Sequence, residues 1–428
     1  MGQTTPFAER VTSHLLPGGA RLAVLANPHA PTATVAGTLL AGPAYATGGR
    51  FAVPGLTAAM LDRGTTGYDR LGLAVELEDH GLQLVVRASS GTPTIVSFSA
   101  QGLAEELPRM VELMVEVLRR PVFPVEELEK LREQVLGNLA RERHETSARA
   151  FAALTRGLYP TGHPLHRRVI EAREEEVRSL VREELEAFHA AAYGPANLVL
   201  AVVGDVESNH VTSLFENRLA DWQATGVVEL PEAAGDQVAP PEEPIQIADR
   251  PSIDVFLGHT AEVLRGEPDY PAAVLANSCL GQSTLTSRLG MAVRDRAGLT
   301  YGIYSRFFGT LHVPGPWATS LGVSVENLDR AVEMSREVIT DYVQEGPSEA
   351  ELADEQSALS GAYRVGLATN SGVARELVTA LTAGEPIERL DRFPEELLAV
   401  SREEVMEAIR THLHPDRLIM TAAGDFEG

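Results

Sequence analysis

Lysine, cysteine and long apolar runs are what this chain has least of. Lys130 is the sole lysine and Cys279 the sole cysteine among 428 residues. One thiol excludes an internal disulfide framework and any cysteine-based zinc cluster, and it fits a reducing compartment. With no His or Asn signature around it, Cys279 reads as a small buried core residue. No window reaches the ~18 uninterrupted apolar residues of a membrane span. Met1 to Phe7 shows neither a basic start with an apolar run nor a small-residue cleavage site. The chain is therefore expected to be soluble, unprocessed and cytoplasmic. Positive charge is scarce as well: 36 Lys and Arg stand against 60 Asp and Glu, a formal net charge of −24. Such a surface repels phosphate backbones and anionic lipid, which sets aside nucleic acid and membranes as partners.

What is present is enough apolar content, 44%, to build cores, and a length that suggests two to four domains. An internal repeat narrows this. Pro195-Ala196-Asn197-Leu198-Val199-Leu200-Ala201-Val202-Val203-Gly204-Asp205 is answered 220 residues later by Pro415-Asp416-Arg417-Leu418-Ile419-Met420-Thr421-Ala422-Ala423-Gly424-Asp425. The same offset relates Arg182-Glu183-Glu184-Leu185 to Arg402-Glu403-Glu404-Val405. In both copies an acidic amphipathic helix leads through a proline turn into an apolar strand ending in Gly-Asp. The chain thus reads as two homologous halves, 1–232 and 252–428. Between them 233–251, interrupted by Gly235, Pro240, Pro241 and Pro244, reads as an exposed linker.

Within the first half, strands are expected at Arg21 to Ala26 and Thr32 to Leu40, and a helix over Gly55 to Asp62. A hairpin of Gln83 to Ala88 with Thr94 to Ala100 follows, then helices over Ala104 to Arg119 and Glu126 to Glu145. The second half offers strands at Ser252 to His259, Thr300 to Phe308 and Trp317 to Val325. Its helices are expected at Tyr270 to Leu280, Thr284 to Arg296, Leu328 to Gln344 and Glu349 to Val365. Segregated strands and helices argue α+β, as two tandem α/β-sandwich domains. Each would hold a mostly antiparallel sheet covered by helices, not a doubly wound parallel one.

Reactive constellations are missing. His144-Glu145 begins like His-Glu-x-x-His, but the fifth position is Ala148. His163 and His166 flank Pro164 with no acidic third ligand and read as solvated loop histidines; His412 and His414 suit a helix C-terminus. No Walker loop, Gly-x-Ser-x-Gly elbow or post-strand GxGxxG occurs. By its residues alone the chain is not a self-sufficient enzyme.

The order of its segments nevertheless carries a resemblance. Gly55-Leu56-Thr57-Ala58-Ala59-Met60-Leu61-Asp62-Arg63-Gly64-Thr65 resembles the zinc-site segment of the pitrilysin (insulinase-like) metallopeptidase family, whose active members carry His-x-x-Glu-His there. Tyr159 to Leu165, Phe188 to Tyr193 and Pro195 to Asp205 resemble further signatures of that family. In the second half, so do Ser287-Arg288-Leu289 and Arg294-Asp295-Arg296-Ala297-Gly298-Leu299-Thr300-Tyr301. The likeness runs through most of the chain in order and spacing.

Set against that family, the metal positions are degenerate. The two zinc histidines fall on Gly55 and Ala59, the catalytic glutamate on Ala58, and the third ligand on about Asn138. Zinc catalysis needs three donors, an open position for water and a general base, and glycine and alanine supply none of these. The resemblance therefore implies no cofactor in this chain and no catalytic residue in it alone. Arg294 and Tyr301, by contrast, fall on the family's pair that binds the substrate carbonyl and stabilises a developing oxyanion. Arg288 is expected to be structural, paired to an acidic neighbour. The Leu299 to Phe308 strand could receive an extended peptide at a sheet edge or be an ordinary core strand. The Leu280 to Ser283 loop keeps one glycine, Gly281, where some relatives are glycine-rich.

The resemblance implies the non-catalytic, substrate-binding subunit of a heterodimeric zinc peptidase. Zinc would reside in a homologous His-x-x-Glu-His partner, as in bacterial two-chain peptidases and mitochondrial processing peptidase. The alternative is a zinc-free homodimeric peptide-binding or assembly protein. From net charge, neutral or basic peptides are the expected substrates.

Overall fold

The repeated apolar strand ending in Gly-Asp lies inside a sheet in both of its copies. This emerges from a computed structural model, in which residues 5–88, 91–223 and 243–427 are described. The first sheet contains β1 (Val11–Leu15), β2 (Arg21–Ala26), β3 (Thr32–Leu39), β4 (Gln83–Ala88), β5 (Val96–Leu103) and β6 (Leu198–Gly204), in the order β1-β2-β6-β3-β5-β4. The second contains β7 (Ile245–Gln246), β8 (Ile253–Thr260), β9 (Ile303–Phe307), β10 (Pro316–Val323) and β11 (Ile419–Gly424), in the order β7-β11-β8-β10-β9. Leaving out β1, the two orders correspond strand for strand. The repeated strand pairs parallel on one side (β6 with β2, β11 with β7) and antiparallel on the other (β6 with β3, β11 with β8). The architecture is α+β with mostly antiparallel sheets flanked by helices.

The glycine closing each copy has a steric reason. A Cβ at Gly204 would lie 2.3 Å from the Thr32 carbonyl oxygen, and one at Gly424 would lie 2.5 Å from Ile253 Cδ1. The aspartate after the second glycine ties down the chain that leads into β8. Asp425 accepts from the Gln246 side chain at 2.7 Å and from the Asp249 amide at 2.9 Å.

Each sheet belongs to one compact unit, and neither unit is a continuous stretch of chain. The first comprises Met1–Val135, Glu175–Pro231 and Ala362–Arg392; the second comprises Leu136–Glu174, Glu232–Gly361 and Phe393–Gly428. The interleaving comes from an exchange of equivalent helices. The Thr146–Leu158 helix, from the first half of the sequence, packs Ala150, Leu154 and Leu158 with Ile419, Ala423 and Phe256 of the second sheet. Reciprocally, the Asn370–Thr382 helix packs Val373, Leu377 and Val378 on Ala23, Leu25, Val199 and Val203 of the first. Of the expected linker 233–251, residues 233–242 lie outside the described residues. Cys279 is buried, as its sequence setting implied.

Candidate functional site

The Ala52–Met60 helix presents the degenerate metal positions. It is seated by the Ala52 amide, which donates to Glu176 Oε1 at 2.6 Å, and by buried Val53, Leu56 and Met60. Ala58 is buried, and Gly55 and Ala59 are partly exposed. A Cβ at Gly55 would meet nothing within 4 Å, so there is room beside the helix but no donor atom to use it. The residues present do not fit a zinc ion. Among the described residues no group of three or more His, Cys, Asp and Glu could hold a metal ion.

A guanidinium organises this region instead. Arg63 Nε donates to the Ala59 carbonyl at 3.1 Å and Nη2 to Gln134 Oε1 at 3.1 Å, while Nη1 lies 3.6 Å from Glu127 Oε2. Glu127 also takes Lys130 at 2.6 Å and Arg70 at 3.1 Å. These cations, Lys130 first, hold its carboxyl below the usual range. Glu127 and Gln134, seven residues apart, share one face of the Val125–Glu142 helix. Asn138, further along it, is exposed and accepts from Arg141. Sequence reasoning missed the Arg63–Gln134–Glu127 set. The seven-residue spacing was its only available signal.

Arg294 and Tyr301 stand at a corner of the second unit. The helix leading to them was expected to run from Thr284 to Arg296. It is instead a turn at Thr284 to Thr286 followed by a π-helical segment, Gly290–Arg296. The Ser287 hydroxyl donates to the Ser283 carbonyl, which also accepts the Ser287 amide at 3.2 Å, and it accepts the Gly290 amide in place of a main-chain carbonyl. Gly298, at φ +64°, then turns the chain, and its amide closes on the Arg294 carbonyl at 3.0 Å. Arg294 Nε donates to the Tyr301 carbonyl at 3.0 Å and Nη1 to Asp295 at 2.6 Å. Tyr301 is 100% exposed, and its phenol bonds no described residue. The corner thus offers a tethered, partly exposed guanidinium and a free phenol, both hydrogen-bond donors.

Arg288 has a different part. It makes a two-pronged pair with Glu351, 2.9 Å on each arm, and lies 5.2 Å from the centre of the Tyr342 ring. The Arg288 hydrogen bond, the largest cause, holds Glu351 down at about 2. Beside it, burial and then Glu355 and Glu351 push the Cys279 thiol up to about 12, so it is no nucleophile.

A cavity of about 610 Å³ runs along β9, the edge strand. Pairing with β10 turns the backbone groups of Ile303, Ser305 and Phe307 outward. Thr284 Oγ1 accepts the Ile303 amide at 3.1 Å, and the Asn277 amide donates to the Ser305 carbonyl at 3.0 Å. Asn277 is fixed in turn by Ser305 Oγ and Trp317 Nε1, each at 2.9 Å. The Ser305 amide and both main-chain groups of Phe307 bond no described residue. β9 is therefore an edge, with one end capped by side chains and the other open.

The histidines hold structure. His163 is buried and stacked on Tyr159 at 4.3 Å, which corrects its reading as solvated. His166 Nδ1 bonds the Tyr159 carbonyl at 2.8 Å, and His412 meets Asp269 at 2.6 Å. His259 accepts the His414 amide at 3.1 Å, and burial pushes its pKa down to about 4.

Comparison with known proteins bears on the family and the fold. Residues 21–173 match the model "Insulinase (Peptidase family M16)" and residues 179–359 match "Peptidase M16 inactive domain". An uncharacterized zinc protease of Mycobacterium tuberculosis is 25% identical over 281 residues, 64% of this chain and 62% of that protein. The match thus spans less than two thirds of that relative's length. Mitochondrial-processing peptidase subunit beta of Neurospora crassa is 22% identical over 96% of this chain and 87% of its own. A solved structure titled a peptidase M16 inactive domain, from Pseudomonas fluorescens, shares the fold at a TM-score of 0.87. It is 24% identical and covers 97% of this chain and 98% of its own. The periplasmic protease PqqL of Escherichia coli shares it at 0.79, 15% identical, over 99% of this chain and 46% of its own. That last likeness overturns the cytoplasmic expectation. The fold is at home in a periplasmic protein, and a lone thiol fits either compartment. Among the described residues no helix is long and apolar enough to cross a membrane.

Proposed function

The chain belongs to the M16, or insulinase-like, peptidase superfamily, and from that membership we propose that it is the zinc-free, substrate-binding subunit of a two-chain peptidase. A homologous His-x-x-Glu-His partner holds the zinc, and this chain brings Arg294 and Tyr301 to the bound peptide. In this reading 1–232 and 252–428 are the homologous halves joined at 233–251. The observation that carries it is a contrast. Gly55, Ala58 and Ala59 offer a metal no donor, while Arg294 and Tyr301 keep a solvent-facing pair of donors at one corner. Such donors, aimed at a polarised carbonyl, stabilise charge as it develops. The "inactive domain" description over 179–359 supports the zinc-free part, and likeness to a named subunit of a processing peptidase supports the assembly. The open stretch of β9 supports peptide capture by strand addition.

A second reading, a zinc-free homodimeric peptide-binding or assembly protein, is favoured by the β9 groove, whose lining comes entirely from one unit of one chain. Mixing the chain with a zinc-bearing homologue separates the two. A 1:1 complex that hydrolyses peptides supports the first, and a homodimer that ignores the homologue supports the second. In an active pair, Arg294→Ala or Tyr301→Phe lowers turnover by about 10²-fold, the scale of one lost oxyanion donor. Unchanged turnover contradicts the assigned role.

A further inference from the structure

The groove along β9 contains one charged lining residue among those described, Arg306. Its guanidinium carbon lies 4.1 Å from the centre of the Phe308 ring. Phe308 is itself stacked on Phe151 at 4.7 Å, so the platform under the cation is packed from behind. No described carboxylate pairs with Arg306. Arg288, Arg143 and Arg173, by contrast, are each paired with a carboxylate. Partial burial lowers its pKa, yet a guanidinium stays charged at any ordinary pH. Arg306 is thus an exposed cation seated on an aromatic platform, with no described carboxylate paired to it, and it is free to meet an anion.

Strand geometry says where that anion would sit. Tyr304, Arg306 and Phe308 alternate onto one face of the sheet, and Tyr304 is 49% exposed there. A peptide strand adding to the open Ser305–Phe307 stretch places the residue opposite Arg306 with its side chain on that same face. From this juxtaposition we infer that Arg306 selects an acidic side chain in the extended peptide bound at β9. The inference rests on the peptide-binding reading above. It departs from the preference drawn from net charge, because the described lining of the groove holds one cation and no carboxylate although the chain carries −24.

The test uses the full chain and fluorescein-labelled pentapeptides, Thr-Val-Xaa-Val-Thr, with blocked ends and Glu, Gln or Lys at the centre. Affinity is read by anisotropy at low salt. The Glu peptide is expected to bind about fivefold more tightly than the Gln peptide, the upper scale for an opposite-charge cross-strand pair, and the Lys peptide more weakly than either. Arg306→Gln should erase the Glu-over-Gln preference while leaving Gln-peptide affinity in place, and Arg306→Lys should restore part of the preference. Binding without that preference, or a preference that survives Arg306→Gln, overturns the inference and leaves peptide binding standing. A Gln peptide with a free C-terminus that gains the same Arg306-dependent affinity reassigns the site to a terminal carboxylate and overturns the side-chain claim. If the wild-type chain binds no member of the series, the peptide-binding reading falls and the inference with it.

Discussion

At the scale of single residues, buried His259 and half-exposed Glu351 both contribute to how the protein responds to acid. His259 is held neutral, its pKa pushed down to about 4 by burial. Its folded value lies below its unfolded one, so its contribution is present above about pH 6.5 and is lost as pH falls toward the folded value. Glu351, paired with Arg288, is held at about 2. Its contribution is present above the ordinary glutamate range of about 4.3 and is lost as pH falls through the folded value. Acid destabilisation is therefore expected in two stages. Urea midpoints measured across pH should show the gap between wild type and Glu351→Gln widest above about pH 5 and closing toward pH 2. A gap that is constant with pH contradicts the assigned pair.

At the scale of elements, legibility followed from how local each cause was. β2 and β4 were readable to their exact ends because short apolar runs bounded by turn residues carry the signal. The π-helical segment was not, because the Ser287 hydroxyl takes the Gly290 amide and a seryl residue has no distinctive period. The Asn370–Thr382 helix also escaped the sequence reading. Its apolar face mixes alanines with Val373, Leu377 and Val378, and the sheet that completes it comes from the other half of the sequence. Arg288 was legible as structural, although its partner Glu351 lies 63 residues away. Arg63 was overlooked because its side-chain partners, Gln134 and Glu127, sit on a distant helix. The exchanged helix supports a direct test. Leu377 is fully buried against the first sheet, so Leu377→Ala should cost about 2–5 kcal/mol in urea unfolding. A cost near that of a surface substitution, roughly 0.5 kcal/mol, would contradict the packing.

At the scale of the whole molecule, the exchange ties the two halves of the sequence to one another. A fragment of residues 1–232 keeps the first sheet but loses the Asn370–Thr382 helix that covers Ala23, Leu25, Val199 and Val203. It should expose that apolar face and aggregate, whereas co-expression with a fragment of residues 243–428 should yield a soluble complex. Independent solubility of the first fragment contradicts the exchange. The same scale holds the proposed pairing of a peptidase fold with exposed donors at Arg294 and Tyr301 and, among the described residues, no group that could hold zinc. Metal analysis of the purified full-length chain, with a peptide-hydrolysis assay run with and without chelator, tests this most directly. No zinc above background and no hydrolysis by the chain alone are expected. One zinc per chain, with hydrolysis that a chelator stops, would contradict it.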